Sequence, residues 1–154
     1  SSAASDVYKR QQMSDIIDEI TASLMIEEGF RAHAYYDTAV PPRLTIGFGR
    51  NIDREGGGLG ISEDEAEVML RNDIDRSVQE CANWYWFDRQ PDRVKRVLIE
   101  LCFQLGYPAL SGFNRMLSAL SADNYETAAA ELLDSKFAVQ VPHRAKRLSD
   151  RLRG

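Results

Sequence analysis

Histidine and cysteine are scarce in this chain, with two of each among 154 residues. Cys81 and Cys102 are too few for a disulfide framework, and neither has His or Cys neighbours at zinc-ligand spacing, so no structural metal is expected. Cys102, inside Leu101-Cys102-Phe103, reads as a small buried hydrophobe, and Cys81 closes a helical stripe. His33 and His143 lie far apart in sequence, and no Ser-His-Asp arrangement suggests itself. No run of eighteen apolar residues occurs, because charges interrupt each hydrophobic stretch, so no membrane span is expected. The opening residues also lack the basic-then-apolar order of a signal peptide. Positive charge is in deficit: 19 Lys and Arg face 24 Asp and Glu, a formal net charge of -5. That sign is wrong for a general phosphate-backbone binder, and nucleic acid is not an expected partner. Gly56-Gly57-Gly58 is not followed by the Lys-Ser or Lys-Thr of a P-loop, which leaves nucleotide binding unsupported. No cofactor is implied.

What is present, 44% apolar and 28% charged residues, fits one globular domain or two small lobes sharing a core. Residues 1–12 are small and polar without periodicity. They read as a tag or disordered tail, with the domain occupying 13–154. Ile16, Ile20 and Leu24 recur at helical spacing after a candidate N-cap, Ser14, which predicts a helix ending near Glu28 with Gly29 as its stop. Tyr35, Tyr36, Leu44, Ile46 and Phe48, with Pro41 and Pro42 between them, predict a small antiparallel sheet inside a lobe of about 29–61. Ser62 and Glu65 have capping-box spacing, and Glu63, Asp64 and Glu65 put negative charge at the positive end of a helix. That helix, about 62–82, has Ala66, Leu70, Ile74, Val78 and Cys81 on one face and links the lobes. The rest, about 83–154, reads as a helical lobe whose last helix begins near Pro142. The expected class is α+β, mainly helical, with two lobes joined by a long helix.

The chemistry concentrates in Glu28-Gly29-Phe30, Tyr35-Tyr36-Asp37-Thr38 and Thr45-Ile46-Gly47-Phe48-Gly49. A carboxyl at a helix end, a second on the next strand and a hydroxyl one strand further are components for splitting a glycoside. One acid protonates the leaving oxygen, and the other carboxylate assists the water. These residues, with Gly60 to Glu67, Phe103-Gln104-Leu105-Gly106, Gly112-Phe113 and Pro142-His143-Arg144-Ala145-Lys146-Arg147, make the chain resemble the phage-type lysozymes. The resemblance spans nearly everything after Met13, and it implies the same lysozyme-like two-lobe fold.

It further implies cleavage of the β-1,4 bond between N-acetylmuramic acid and N-acetylglucosamine in peptidoglycan glycan strands, in a cleft, with inversion. By the same resemblance Glu28 is the general acid, while Asp37 and Thr45 hold the attacking water. The two carboxyls of an inverting pair should stand roughly 6.5–9.5 Å apart. A general acid must keep its proton, so partial burial of Glu28 is expected. Arg144 matches a family position expected to approach Glu28 from the helical lobe. Gly49, Gln104 and Lys136 match positions expected to contact substrate. The implied setting is a monomeric endolysin, made in the host bacterial cytoplasm and released to the periplasm or cell wall.

Some readings stay open on the sequence. The family usually has five residues between Asp and Thr, whereas seven, Thr38 to Leu44, intervene here. If they only lengthen the hairpin turn, Thr45 keeps its face; if they change the register, its hydroxyl turns away. Arg144, Lys146, Arg147, Arg151 and Arg153 form either a local positive field or a solvated helix face. Arg50 and Asp73 are expected to pair. Phe103 and Phe113, and the run Trp84-Tyr85-Trp86, are read as packing groups rather than sugar platforms. The competing function is a catalytically degenerate lysozyme-like module that binds peptidoglycan or serves as a scaffold. Lytic transglycosylation, which needs no water-holding pair, is disfavoured by Asp37 and Thr45.

Overall fold

The computed structural model describes residues 2–154. Eight helices and one three-stranded antiparallel sheet follow in chain order among these residues, an α+β fold that is mainly helical. The chain forms two compact units, one ending at Glu65 and the other spanning Ala66–Gly154. No helix of the described residues is long and apolar enough to cross a membrane.

Helix α1 spans Ser2–Glu28, so it starts twelve residues before the expected Ser14. Residues 2–12, read as a tail from sequence, are helical. None of the helix is buried, and residues 2–12 carry no apolar stripe, since Val7 and Tyr8 are their only large apolar residues. It stops where the sequence says it should: Gly29 has φ 68°, and its N–H donates to the Met25 carbonyl at 3.2 Å. A left-handed residue there is the usual way to end a helix. Strands β1 (Arg31–Tyr36), β2 (Leu44–Gly47) and β3 (Arg50–Asn51) follow, ordered β1-β2-β3. Tyr35 faces Thr45 and Tyr36 faces Leu44 across the first ladder; Thr45 faces Asn51 across the second.

Helix α2 spans Glu63–Cys81. Its capping box forms as read, with Ser62 N–H donating to Glu65 at 2.8 Å and Glu65 N–H donating to the Ser62 hydroxyl at 3.2 Å. Arg50 pairs with this same Glu65 rather than with Asp73, which instead meets Arg76 at 3.7 Å. The Ser62 N–H and Arg50 together hold the Glu65 carboxyl below its ordinary range. Of the apolar stripe of α2 only Cys81 is buried, with Ser77 buried beside it, while Leu70 and Ile74 are exposed.

The second unit owns the core. Helices α3 (Asp92–Leu105), α4 (Tyr107–Ser111), α5 (Asn114–Ser121), α6 (Tyr125–Leu133), α7 (Lys136–Gln140) and α8 (Pro142–Arg153) bury Val94, Leu98, Leu101, Leu110, Met116, Leu120, Leu132, Leu148 and Leu152. Removing such side chains from water is the main favourable term holding these helices together. The buried Ser149 is paired in the core, its hydroxyl donating to the Ala129 carbonyl at 3.0 Å. Cys81 and Cys102 are both buried in it, as expected, and burial pushes both thiols up. Trp86 is buried and stacks on half-buried Trp84 with centroids 5.6 Å apart, whereas Tyr85 is 90% exposed. Consecutive positions thus point different ways. Phe103 is not a core residue: with Ile74 and Ile99 it lines an apolar groove of about 540 Å³.

The late basic residues are largely neutralised by acids. Glu100 takes Arg147 at 2.7 Å and Arg151 at 3.4 Å, Lys146 meets Asp150 at 2.6 Å, and Arg153 meets Glu126 at 2.9 Å. The face is therefore an ion-paired one rather than a free positive field.

Candidate active site

The hairpin supplies most of the site. Asp37 follows β1, and its N–H donates to the Arg43 carbonyl at 3.0 Å, which carries the first ladder one step past Tyr36 and Leu44. The residues beyond the family's usual spacing are thereby contained in the turn between Asp37 and Arg43. Residues opposite one another in an antiparallel ladder share a face, and alternate residues along a strand return to it. Tyr35, Asp37, Arg43, Thr45 and Asn51 consequently belong to one face. The lengthened turn keeps Thr45 on the side of Asp37.

Asp37 is anchored by its own turn. Its Oδ1 accepts the Ala39 N–H at 3.0 Å and the Arg43 N–H at 2.8 Å, and its Oδ2 lies 3.3 Å from Arg43 Nε. The Arg43 N–H is the main cause holding its carboxyl below the usual carboxylate range, with the Ala39 N–H and the Arg43 guanidinium adding to it against a desolvation that pushes up. Two hydrogen bonds thus fall on Oδ1, while Oδ2 meets the Arg43 guanidinium as an ion pair. One lone pair, on Oδ2, is left for another donor. Asp37 is thus both an Asx-turn residue and an available anion.

Thr45 is only 3% exposed, and its hydroxyl donates to the Arg43 carbonyl at 3.1 Å. With its proton committed, the oxygen keeps acceptor capacity. Arg43 touches both candidate residues, Asp37 through its N–H and guanidinium and Thr45 through its carbonyl. Sequence reasoning passed over it, because its relevance depends on the path of a proline-containing turn.

Glu28 is the last residue of α1 and is exposed, not partly buried as expected. What closes on it is the β2–β3 turn at Gly49, which brings backbone and no side chain. A Cβ at Gly49 would lie 2.6 Å from Glu28 Oε2, and the residue has φ 76°. The φ favours glycine there, and any side chain would push the Glu28 carboxyl aside. Gly49, read as a substrate contact, is thus first the residue that makes room for the Glu28 carboxyl. The Phe30 and Phe48 rings, each close in sequence to these residues, meet with centroids 5.6 Å apart.

The remaining candidates belong to the second unit. Lys136 opens α7 and lines a groove of about 400 Å³ with Gly112, Phe113, Arg115, Glu131 and Asp134. Gln104 is not part of that lining. It occupies the last turn of α3, where its Oε1 is buried without a partner among the described residues. Arg144 is exposed in the first turn of α8.

A three-stranded sheet carrying an ionised aspartate and a neighbouring threonine, after a helix that ends on a glutamate and ahead of an all-helical unit, defines a lysozyme-like α+β protein. Residues 25–151 match the model of the phage lysozyme family. The chain belongs to that family, and its role is that of a peptidoglycan hydrolase of the muramidase type. The match takes in Glu28, Asp37, Thr45, Gly49, Gln104, Lys136 and Arg144, and it leaves the first 24 residues outside.

Proposed function

We propose that this lysozyme hydrolyses the β-1,4 bond between N-acetylmuramic acid and N-acetylglucosamine with inversion at the anomeric carbon. Glu28 gives its proton to the glycosidic oxygen as the bond breaks. The free lone pair on Asp37 Oδ2 takes a proton from a water, whose oxygen attacks the anomeric carbon from the opposite side. The Thr45 oxygen accepts the other hydrogen of that water and fixes its aim. The ionised Asp37 also stabilises the positive charge that develops on the sugar. Lys136, with the groove beside Phe113, and Gln104 are the substrate contacts proposed for the helical unit. In its biological setting the chain acts as an endolysin that degrades the host wall from the periplasmic side after release from the cytoplasm.

The observation that carries this reading is the shared face of Asp37 and Thr45, with Asp37 held as an anion by the turn. A carboxylate kept ionised suits a base and charge stabiliser, and leaves the proton-donor role to Glu28.

The test is product analysis on purified peptidoglycan. Fragments should end in reducing sugars, and early NMR spectra should show the α-anomer before mutarotation. Anhydro-sugar ends would replace hydrolysis by transglycosylation. A first-formed β-anomer would replace inversion by retention, and no bond cleavage would leave a binding or scaffold module.

A further inference from the structure

Resting on the reading of Asp37 as the water-holding base, we infer that Arg43 is the positioning residue of this active site, fixing Asp37 and Thr45 relative to one another through a single side chain and its peptide unit. The geometry is closed on three sides. The Arg43 N–H donates to Asp37 Oδ1 at 2.8 Å, its Nε stands 3.3 Å from Asp37 Oδ2, and its carbonyl accepts from both Asp37 N–H at 3.0 Å and Thr45 Oγ1 at 3.1 Å. Every polar atom of the Arg43 backbone therefore ends on one of the two candidate residues.

The side chain is itself held. A Cβ placed on Gly56 would lie 3.0 Å from Arg43 Cγ, so the arginine stem passes close over the glycine-rich loop. That loop is in turn anchored by Asp53, whose Oδ1 accepts the N–H groups of Glu55 at 3.1 Å and Gly56 at 3.2 Å. A guanidinium directed this way presents its Nε edge to Asp37 with less rotamer freedom to lose. The contact orients one carboxylate oxygen while leaving a lone pair on the same oxygen for water.

Three other charged groups on or beside the sheet are engaged elsewhere. Arg31 lies over the Tyr35 ring at 5.0 Å, Arg50 pairs with Glu65, and Asp53 is occupied by backbone N–H groups. None of them contributes to the lowering at Asp37, which comes from Arg43 and the Ala39 N–H. Sequence position alone would not mark Arg43, since it lies in the turn. It acts through Asp37.

The test compares Arg43→Gln, Arg43→Lys and Asp37→Asn with the unaltered chain, by kcat, KM and their pH dependence on purified peptidoglycan, and by NMR titration of the Asp37 carboxyl carbon. Arg43→Gln keeps the peptide N–H and removes the guanidinium. The Asp37 carbon should then titrate at higher pH, the acid limb of kcat should move up with it, and kcat should fall about tenfold from the lost orientation. KM should stay within about twofold, because a positioning role runs through Asp37 rather than through ground-state binding of the sugar. Arg43→Lys should restore the acid limb in part, through its charge, and kcat less, lacking the fork. An Arg43→Gln protein with an unmoved acid limb and unchanged kcat, alongside an inactive Asp37→Asn, would overturn the positioning role and leave the base assignment standing. A fully active Asp37→Asn would overturn the base assignment itself, and the carbon titration would then decide separately whether Arg43 holds this carboxylate.

Discussion

The two units of the chain are built on different physics. In the helical unit nineteen hydrophobic side chains are buried in one cluster, several with no solvent exposure. In the unit that ends at Glu65, Thr45 is the sole buried residue among those described. The first is stable because apolar surface leaves water. The second is shaped by short-range hydrogen bonds: a glycine-terminated helix, an Asx turn, a capping box and an aspartate-anchored glycine loop. Glu28, Asp37, Thr45 and Gly49 all belong to the second kind. Proposed chemistry and folding free energy therefore reside in different residues, and substitutions should separate them.

The largest effect on stability should come from Leu98→Ala, at a position with no solvent exposure. Cavity and transfer costs together predict a loss of about 2–5 kcal/mol in urea unfolding. A loss under about 1 kcal/mol would mean that the helical core is not close-packed there. Next is Gly49→Ala, whose methyl group would overlap the Glu28 carboxyl and whose φ of 76° disfavours any side chain. Hydrolysis should fall by about tenfold to a hundredfold as the carboxyl is displaced, while the melting of the helical core stays put.

A smaller change is expected at Glu100, whose carboxyl is held below its ordinary range chiefly by the Arg147 hydrogen bond, with burial opposing and Arg151 and Arg96 assisting. A depressed folded value means that the carboxylate stabilises above the unfolded value of about 4.3, and that this contribution disappears as pH falls through the folded value. Glu100→Gln should cost about 1 kcal/mol near neutrality and almost nothing in strong acid. An equal cost at both pH values would reassign its role to packing. Val40→Ser, at the 98% exposed tip of the hairpin, should change stability by less than about 0.5 kcal/mol. A larger loss would show that the hairpin unit has apolar support.

Much of the fold was legible because its signals are local. The Ser62 and Glu65 pair, the Gly29 stop and the Pro142 start each depend on a few neighbouring residues, and each is found where the sequence puts it. The start of α1 was not legible. Residues 2–12 include helix formers such as Ala, Lys, Arg and Gln, yet they carry no large apolar residues at helical spacing, and a periodicity argument needs them. The partner of Arg50 was misread for a related reason. Sequence alone does not say which acid of α2 the strand reaches, and the fold puts Glu65 beside Arg50.

For the site, the residue types were readable and the environment was not. Glu28 was expected to be partly buried because its proposed role demands a proton, but the turn that meets it carries glycine. Lys146 and Asp150 lie four apart on one helix, a pairing that sequence can show. Arg147 and Glu100 are separated by 47 positions, which only the packing of α3 with α8 brings together. Arg43 belongs to the same category, since its link to Asp37 runs through the turn's route and not through any spacing rule.

The most direct measurement is the rate of glycosidic bond cleavage by Glu28→Gln, taken together with its melting temperature. Glutamine preserves size and hydrogen bonding and removes the transferable proton. The account predicts a fall in kcat of about a thousandfold or more, at the upper range of general-acid contributions, with a melting temperature within about two degrees of the original, since the residue is exposed and outside the core. Undiminished cleavage by a correctly folded Glu28→Gln protein would contradict it.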